Sequence, residues 1–269
     1  MRRLHLFEFE DQAWLPVALR DFMTDFLRVV FSTLSSRVSL EALLVKLLDA
    51  GGTDRIVDLA SGGGGPIVAV RQRLETEFGR EVQILLTDKY PNIEALEAAR
   101  DAGRGAIDYH RESLDAKAVP KHIEGIRTVF TAFHHFPPED AQLILADASA
   151  CRRPIAVFEA TERTVGMLLI TMLVPVLVWI ATPFMRPFRP SRWLLTYLLP
   201  VVPLLSLWDG LVSCLRTYST RELEEMAASV GAEDWTWEAG YLPVAGLPCR
   251  VTYLLGYPAE ARTGDSPIL

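Results

Sequence analysis

The stretch RIVDLASGGGGPIVAV, Arg55 to Val70, constrains this chain more than any other. A short apolar run leads into four consecutive glycines, and a proline comes directly after them. Glycine has no Cβ and adopts positive φ freely, so the chain can turn sharply and bring bare backbone against a ligand. Pro66 suits a first helical turn, because its fixed φ matches the helix and its missing N–H is no loss there. The order is therefore strand (Ile56–Leu59), loop, helix. Amides at a helix N-terminus favour an anion or a carboxylate. The competing reading is a plain glycine turn. Two nucleotide loops fail on spacing. A P-loop requires Gly-Lys-Ser/Thr, and here Pro66 and Ile67 follow Gly65. A dinucleotide loop requires G-x-G-x-x-G, and the third position falls on Ile67 or Val68.

The surrounding rhythm is that of an open α/β sheet. VQILLTD (Val82–Asp88), TVFTAF (Thr128–Phe133) and PIAVFEA (Pro154–Ala160) are short apolar runs with β-branched members, as buried parallel strands are. Asn92–Ala102 reads as a helix between them, which gives a doubly wound sheet. Before the glycine loop, Leu19, Phe22, Met23, Phe26, Leu27, Val30, Phe31 and Leu34 recur at helical spacing. Leu40, Leu43, Leu44, Leu47 and Leu48 mark a second helix, stopped by Gly51 and Gly52. Near the end, Glu222–Val230 reads as a helix, and DWTWEAGYL and RVTYLLGYP as two strands. The formal net charge of -7 argues against a dedicated nucleic-acid partner. The three cysteines, Cys151, Cys214 and Cys249, fit neither a disulfide framework nor a zinc spacing, so no metal ligands are assigned. No apolar run follows the charged MRRLHLFEFEDQ, so no signal peptide is expected.

Asp88 ends the second strand, about where an acid meets a ribose in such folds. A carboxylate can accept both ribose hydroxyls; the bland alternative is an exposed acid capping the next helix.

With loop and acid in order, the chain resembles the class I S-adenosylmethionine-dependent methyltransferases, over about Asp54 to Ala160 and again over about Arg216 to Pro258. VDLASGGGG resembles the family's first motif, with Asp58 at the acidic position and Gly62 and Gly64 at two of its glycines. Ala60 stands where the family usually has its first glycine, a substitution tolerated if φ stays negative there. SLDA, Ser113 to Ala116, resembles the adenine-contacting segment, and TAFHHFPPEDA the segment after strand four. The resemblance implies a Rossmann-like, mostly parallel seven-stranded sheet and S-adenosylmethionine as cofactor. It places cofactor contacts at Asp58, Ala60, Ser61, Gly62, Gly64, Asp88, Lys89, Asp115, Ala116 and Phe133. It also implies methyl transfer by in-line displacement, which needs mainly positioning, and a base only for a protonated nucleophile. His134, His135 and Glu159 are the candidates for that work, with Tyr218 and Asp209 behind them. The alternative for the histidines is structural. For Glu159 it is a salt bridge to Arg163 or Arg216.

One region is foreign to this pattern. VGMLLITMLVPVLVWIATPFM (Val165–Met185) and WLLTYLLPVVPLLSLW (Trp193–Trp208) carry no charge, and RPFRPSR lies between them. The first run is about 30 Å long as a helix, near the thickness of a bilayer core. Pro175, Pro183, Pro200 and Pro203 interrupt both runs. Two spans would carry Arg186, Arg189 and Arg192 across the membrane, against the positive-inside tendency. A re-entrant or monotopic hairpin fits better, with Trp179, Trp193 and Trp208 at the interface and the arginines on lipid phosphates. A lid over an apolar substrate and a face joining two copies of the chain are the alternatives.

The expected organisation is a helical cover (1–50), a cofactor-binding half (51–164), the apolar insertion (165–208), the rest of the Rossmann-like domain (209–258) and a tail (259–269). The expected partners are an apolar or lipid-like small molecule, a membrane surface through 165–208, and a second copy of the chain. The expected location is the cytoplasmic side of a membrane. A soluble cytoplasmic natural-product O- or N-methyltransferase and a non-catalytic membrane-bound scaffold are the rival functions.

Overall fold

The computed structural model describes residues 1–185, 188–231 and 234–259. Arg186 and the tail from residue 260 onward lie outside the described residues. Seven strands form one sheet: β1 (Arg55–Asp58), β2 (Gln83–Leu86), β3 (Ile107–Tyr109), β4 (Ile126–Phe130), β5 (Ile155–Glu159), β6 (Trp235–Pro243) and β7 (Arg250–Pro258). Their order is β3-β2-β1-β4-β5-β7-β6. The first five strands pair in parallel, and β7 runs antiparallel to both β5 and β6. The chain reverses its direction of winding between β1 and β4, and ligands of open α/β sheets bind at the carboxyl ends of the strands at such a point.

Helices cover both faces. On one lie α2 (Glu41–Gly51), α3 (Ile67–Phe78) and α4 (Ile93–Ala102), whose Leu44, Leu47, Leu48, Ile67, Val70, Leu74 and Leu96 are buried against the sheet. Burying each leucine contributes about 2 kcal/mol. On the other face lie α5 (Pro138–Ala150) and α10 (Thr220–Ser229), through Ile144, Leu145, Leu223 and Met226. The expected stop of α2 is present: Gly52 takes φ 58°, a left-handed cap.

Two strands end earlier than their apolar runs. The second stops at Leu86, because Thr87 turns to hydrogen-bond the end of β1. The fourth stops at Phe130, because Thr131 takes φ 50° and the chain enters a 3-10 turn, Phe133–His135. β3 has three residues, too few to show a period in the sequence.

The apolar insertion follows β5. It comprises α6 (Val165–Thr171), α7 (Val174–Ala181), α8 (Pro190–Trp193) and α9 (Val201–Arg216). Among the described residues, Val165–Phe184 is a helical stretch long and apolar enough to cross a membrane. Pro190–Leu198 and Val201–Arg216 meet that standard only as a pair, bent by 75°. One side of the insertion packs on α1 (Val17–Ser35): Val178, Met185 and Val202 share a core with Phe22, Met23 and Phe26. The other side leaves Leu169, Leu173, Ile180, Leu198 and Trp179 exposed.

Two of the three arginines of the insertion, Arg189 and Arg192, turn to acids of the domain where the hairpin reading expects them on lipid phosphates. Arg192 is buried and ion-paired with Asp25 of α1, and Arg189 lies 3.5 Å from Asp21. Burial without a partner would strand these charges, so the acids of α1 fix the turn of the insertion against the domain.

Candidate functional site

The glycine loop is knitted to its neighbouring strands before any ligand is considered. Leu59 donates its amide to Thr128, and Ser61 donates its own to Thr87. The Asp58 carbonyl accepts from the Thr87 amide and hydroxyl and from the Ser61 hydroxyl. Its carboxylate is buried and accepts a 2.7 Å hydrogen bond from the Thr128 hydroxyl. Burial pushes the Asp58 carboxyl up to about 7, against the pull of Thr128 and Ser61.

Gly62, Gly64 and Gly65 have φ of 52°, 85° and 43°. A Cβ on Gly62 or Gly65 would meet no protein atom within 4 Å, so both backbones border open space. Gly63 instead faces Thr24 of α1, which would lie 3.1 Å from an added Cβ. Ala60 takes φ 52°, contrary to the expectation that alanine stays there by keeping φ negative. A non-glycine residue in this region is strained by about 1 kcal/mol, and the hydrogen bonds around the loop hold it.

Asp88 stands beside the loop. One carboxylate oxygen accepts the Gly62 amide at 2.8 Å and the other the Tyr90 amide at 2.7 Å. Each oxygen keeps a further lone pair for a ligand hydroxyl. Lys89 and Asp115 form an ion pair at 3.0 Å at the rim. The side chains of Ala116 and Phe133 are packed into the core, Phe133 against Phe136 and Tyr218, so only their backbone could face a ligand.

The three candidates for acceptor chemistry converge. Glu159 ends β5, and both its oxygens go to His134: one accepts the backbone amide at 2.9 Å, the other lies 2.8 Å from Nδ1. Both side chains are 2% exposed. Neither expected arginine reaches Glu159. Arg163 pairs with Glu222, and Arg216 with Glu8 and Asp11. His135 stacks on His134 at 4.3 Å and places Nδ1 3.0 Å from Asp11. Burial opposes charge on His135, but the Asp11 hydrogen bond and the Glu8 charge push it up to about 9. Burial likewise opposes charge on Asp11, yet hydrogen bonds from His135 and Arg216 hold it well below the usual carboxylate range.

The acidic N-terminal segment completes the site, and sequence reasoning assigned it no chemistry. The Asp209 carboxylate accepts the amides of Phe9 and Glu10, at 2.7 and 3.0 Å, which clasps this segment onto α9. Glu8 is thereby buried between His134, His135 and Arg216. Burial and the neighbouring Asp209 raise Glu10 to about 8. Tyr218 donates its hydroxyl to the Phe136 carbonyl and supports the histidine turn from below. The only sequence signal for this clasp was the run of acids Glu8, Glu10 and Asp11.

No protein-family model and no curated protein matches the chain. Solved structures do resemble it. A Nostoc punctiforme PCC 73102 protein assigned as an O-methyltransferase is 15% identical, with a TM-score of 0.48. That match covers 91% of this chain and 61% of the other. Human N-acetylserotonin methyltransferase in complex with SAM is 13% identical, with a TM-score of 0.47 over 90% of this chain and 56% of its own. LepI in complex with SAM is 14% identical, with a TM-score of 0.45 over 76% of this chain and 42% of its own. The present chain thus spans less than two thirds of the length of each. The fold itself is read from strand order and direction: five parallel strands, a switch between β1 and β4, and an antiparallel β6–β7 hairpin at one edge. The chain has a doubly wound, Rossmann-like α/β fold with a mostly parallel seven-stranded sheet.

Proposed function

We propose that the protein is an S-adenosylmethionine-dependent methyltransferase that acts on an apolar or lipid-like small molecule at a membrane surface. The observation that carries this reading is the pairing of a bare, left-handed glycine loop with Asp88 at the topological switch point. Gly62 and Gly65 leave room above the loop for the methionine part of the cofactor. Asp88 has lone pairs for the ribose hydroxyls, and Asp115 would accept from the adenine amine once Lys89 swings aside. The bound cofactor supplies an electrophilic methyl on a sulfonium.

The chain's own tasks are to align the acceptor with that methyl and to make a protonated acceptor nucleophilic. His134, backed by Glu159, and His135 form the polar wall where the second task falls. In the transfer, a lone pair on the acceptor attacks the methyl carbon. The carbon–sulfur pair returns to sulfur, which leaves as a neutral thioether.

The membrane part rests on the exposed side of α6 and α7. Leu169, Met172, Leu173, Val176, Leu177 and Ile180, six large apolar side chains within twelve residues, are all exposed, a concentration that marks an interaction surface. With the turn of the insertion fixed to Asp21 and Asp25, this face lies along an interface and does not traverse it.

Calorimetry of the full chain with S-adenosylmethionine tests the first part, beside D88A checked for fold by circular dichroism. Binding by the wild type, weakened at least about tenfold in D88A, is expected from loss of a charged hydrogen-bond acceptor. No heat with the wild type sinks the transferase reading. Flotation with anionic vesicles, followed by transfer of labelled methyl into a lipid extract, tests the second part. A chain that stays in the aqueous fraction favours a soluble apolar acceptor.

A further inference from the structure

We infer that Glu8, His134 and His135 form a binding site for a divalent transition-metal ion, at the wall assigned above to the acceptor. One ligand atom from each residue lies within 4.8 Å of the other two. His134 Nε2 is 3.9 Å from one oxygen of Glu8, and His135 Nδ1 is 3.4 Å from the other. Two ligand atoms bound to a tetrahedral zinc at about 2.0–2.1 Å are roughly 3.4 Å apart. The three ligand atoms, up to 4.8 Å apart, must draw together by up to about 1.4 Å when the ion binds.

A second observation comes from His134 itself. Its Nε2 is buried and has no hydrogen-bond partner. Buried polar atoms are nearly always satisfied, so an orphan calls for a ligand. The Nδ1 contact fixes the tautomer. A carboxylate only accepts, so the bond to Glu159 places the proton on Nδ1 and leaves a lone pair on Nε2. That nitrogen lies 3.9 Å from a Glu8 oxygen, and two acceptors so placed repel. A proton does not resolve this, because 3.9 Å is too long for a hydrogen bond. A cation between them does. A histidine held by a carboxylate on its far nitrogen is the usual outer support of a metal ligand.

Charge fits as well. The carboxylates touching the two imidazoles are Glu159, Glu8 and Asp11, and Arg216 supplies one opposing charge. Binding displaces the proton that His135 Nδ1 shares with Asp11, and with both imidazoles then neutral a divalent ion brings this group to zero. Arg216 is the rival cation, 3.3 Å from Glu8 and 3.4 Å from His135 Nδ1; its closest partner is Asp11 at 2.7 Å, and the site requires that it stay on Asp11 alone when the ion binds. Two nitrogens and an oxygen suit zinc, cobalt or iron(II) better than calcium or magnesium, which take oxygen ligands. Three protein ligands leave a fourth position open, as catalytic sites do. The catalytic consequence rests on the transferase reading. A hydroxyl acceptor at that position would lose its proton to water at near-neutral pH, and its oxygen would then attack the methyl carbon.

Cobalt titration of the chelator-stripped full chain tests the site. A saturating, zinc-displaceable set of visible bands typical of four-coordinate cobalt is expected, with at least about tenfold weaker binding in both E8Q and H135N. D11N, which removes no ligand, should keep the bands. Absence of bands in the folded wild type overturns the site, and so does E8Q binding cobalt as tightly as wild type. Because H135N could misfold, E8Q and the wild type decide the matter alone. S-adenosylmethionine calorimetry on the same stripped sample separates the two claims. Cofactor heat without cobalt bands overturns the ion site and leaves the transferase. Cobalt bands without cofactor heat support the ion site and sink the transferase.

Discussion

Replacing Asp58 with asparagine isolates what it costs to bury an acid at the end of β1. In the folded chain the carboxyl sits at about 7, against 3.8 for the free group, because burial disfavours its charged form. A carboxyl raised in this way is more protonated in the folded state than in the unfolded one. Its contribution is therefore fully present below about pH 4 and is lost as pH rises through about 7. The difference of roughly 3 pKa units amounts to about 4 kcal/mol at alkaline pH, of which about 3 kcal/mol is lost between about pH 5 and about pH 8. Asparagine does not titrate. It can accept from Thr128 through its amide oxygen, but it introduces a buried donor, at a pH-independent cost of about 1–3 kcal/mol. D58N should thus be equal to or less stable than the wild type near pH 5 and more stable by about 1–3 kcal/mol near pH 8, a swing of about 3 kcal/mol. Urea unfolding of both proteins at the two pH values measures it. Other acids raised by burial, Glu10 and Asp209, are common to both proteins and cancel in the difference. A stability difference that stays constant between the two pH values would refute the reasoning.

Three further outcomes follow from the same geometry. A60G should raise stability by up to about 1 kcal/mol, because glycine relieves the left-handed strain; thermal unfolding of both chains reads this, and a loss of stability would contradict it. R192M should cost about 2 kcal/mol, since it removes a buried charged partner from the half-buried Asp25, which keeps Arg28, and urea unfolding measures the loss. The triple change L169S, L173S and I180S should leave circular dichroism and cofactor heat unchanged while abolishing flotation with vesicles; continued flotation would move the membrane contact elsewhere on the surface.

The parts of this fold that were legible in the sequence are those whose cause is local. Leu44, Leu47 and Leu48 show a helical period because one side of α2 meets the sheet, and Ile56–Leu59 is uninterrupted because β1 is covered on both faces. Asp88 and the glycines could be placed because turn chemistry is written in adjacent residues. What escaped depends on distant partners. Ala60 takes a glycine-like conformation because strands from three parts of the chain pin the loop, and no window of sequence contains that. Arg192 looked like a membrane-facing charge because its partner, Asp25, lies on another helix. Glu8 carried no local signal beyond its place in a run of acids with Glu10 and Asp11. It becomes part of the site only because Asp209 clasps the two residues after it.

That clasp has a consequence for the order in which the molecule is completed. Phe9 and Asp209 are 200 residues apart, so the clasp cannot form until α9 has been made. Closing so large a loop carries a substantial entropic cost and comes late in assembly. A nascent chain can therefore build its sheet, and even its glycine loop, while the histidine wall still lacks its acidic side. The buried setting of Glu8 between His134, His135 and Arg216 therefore waits on α9, however early the sheet is complete.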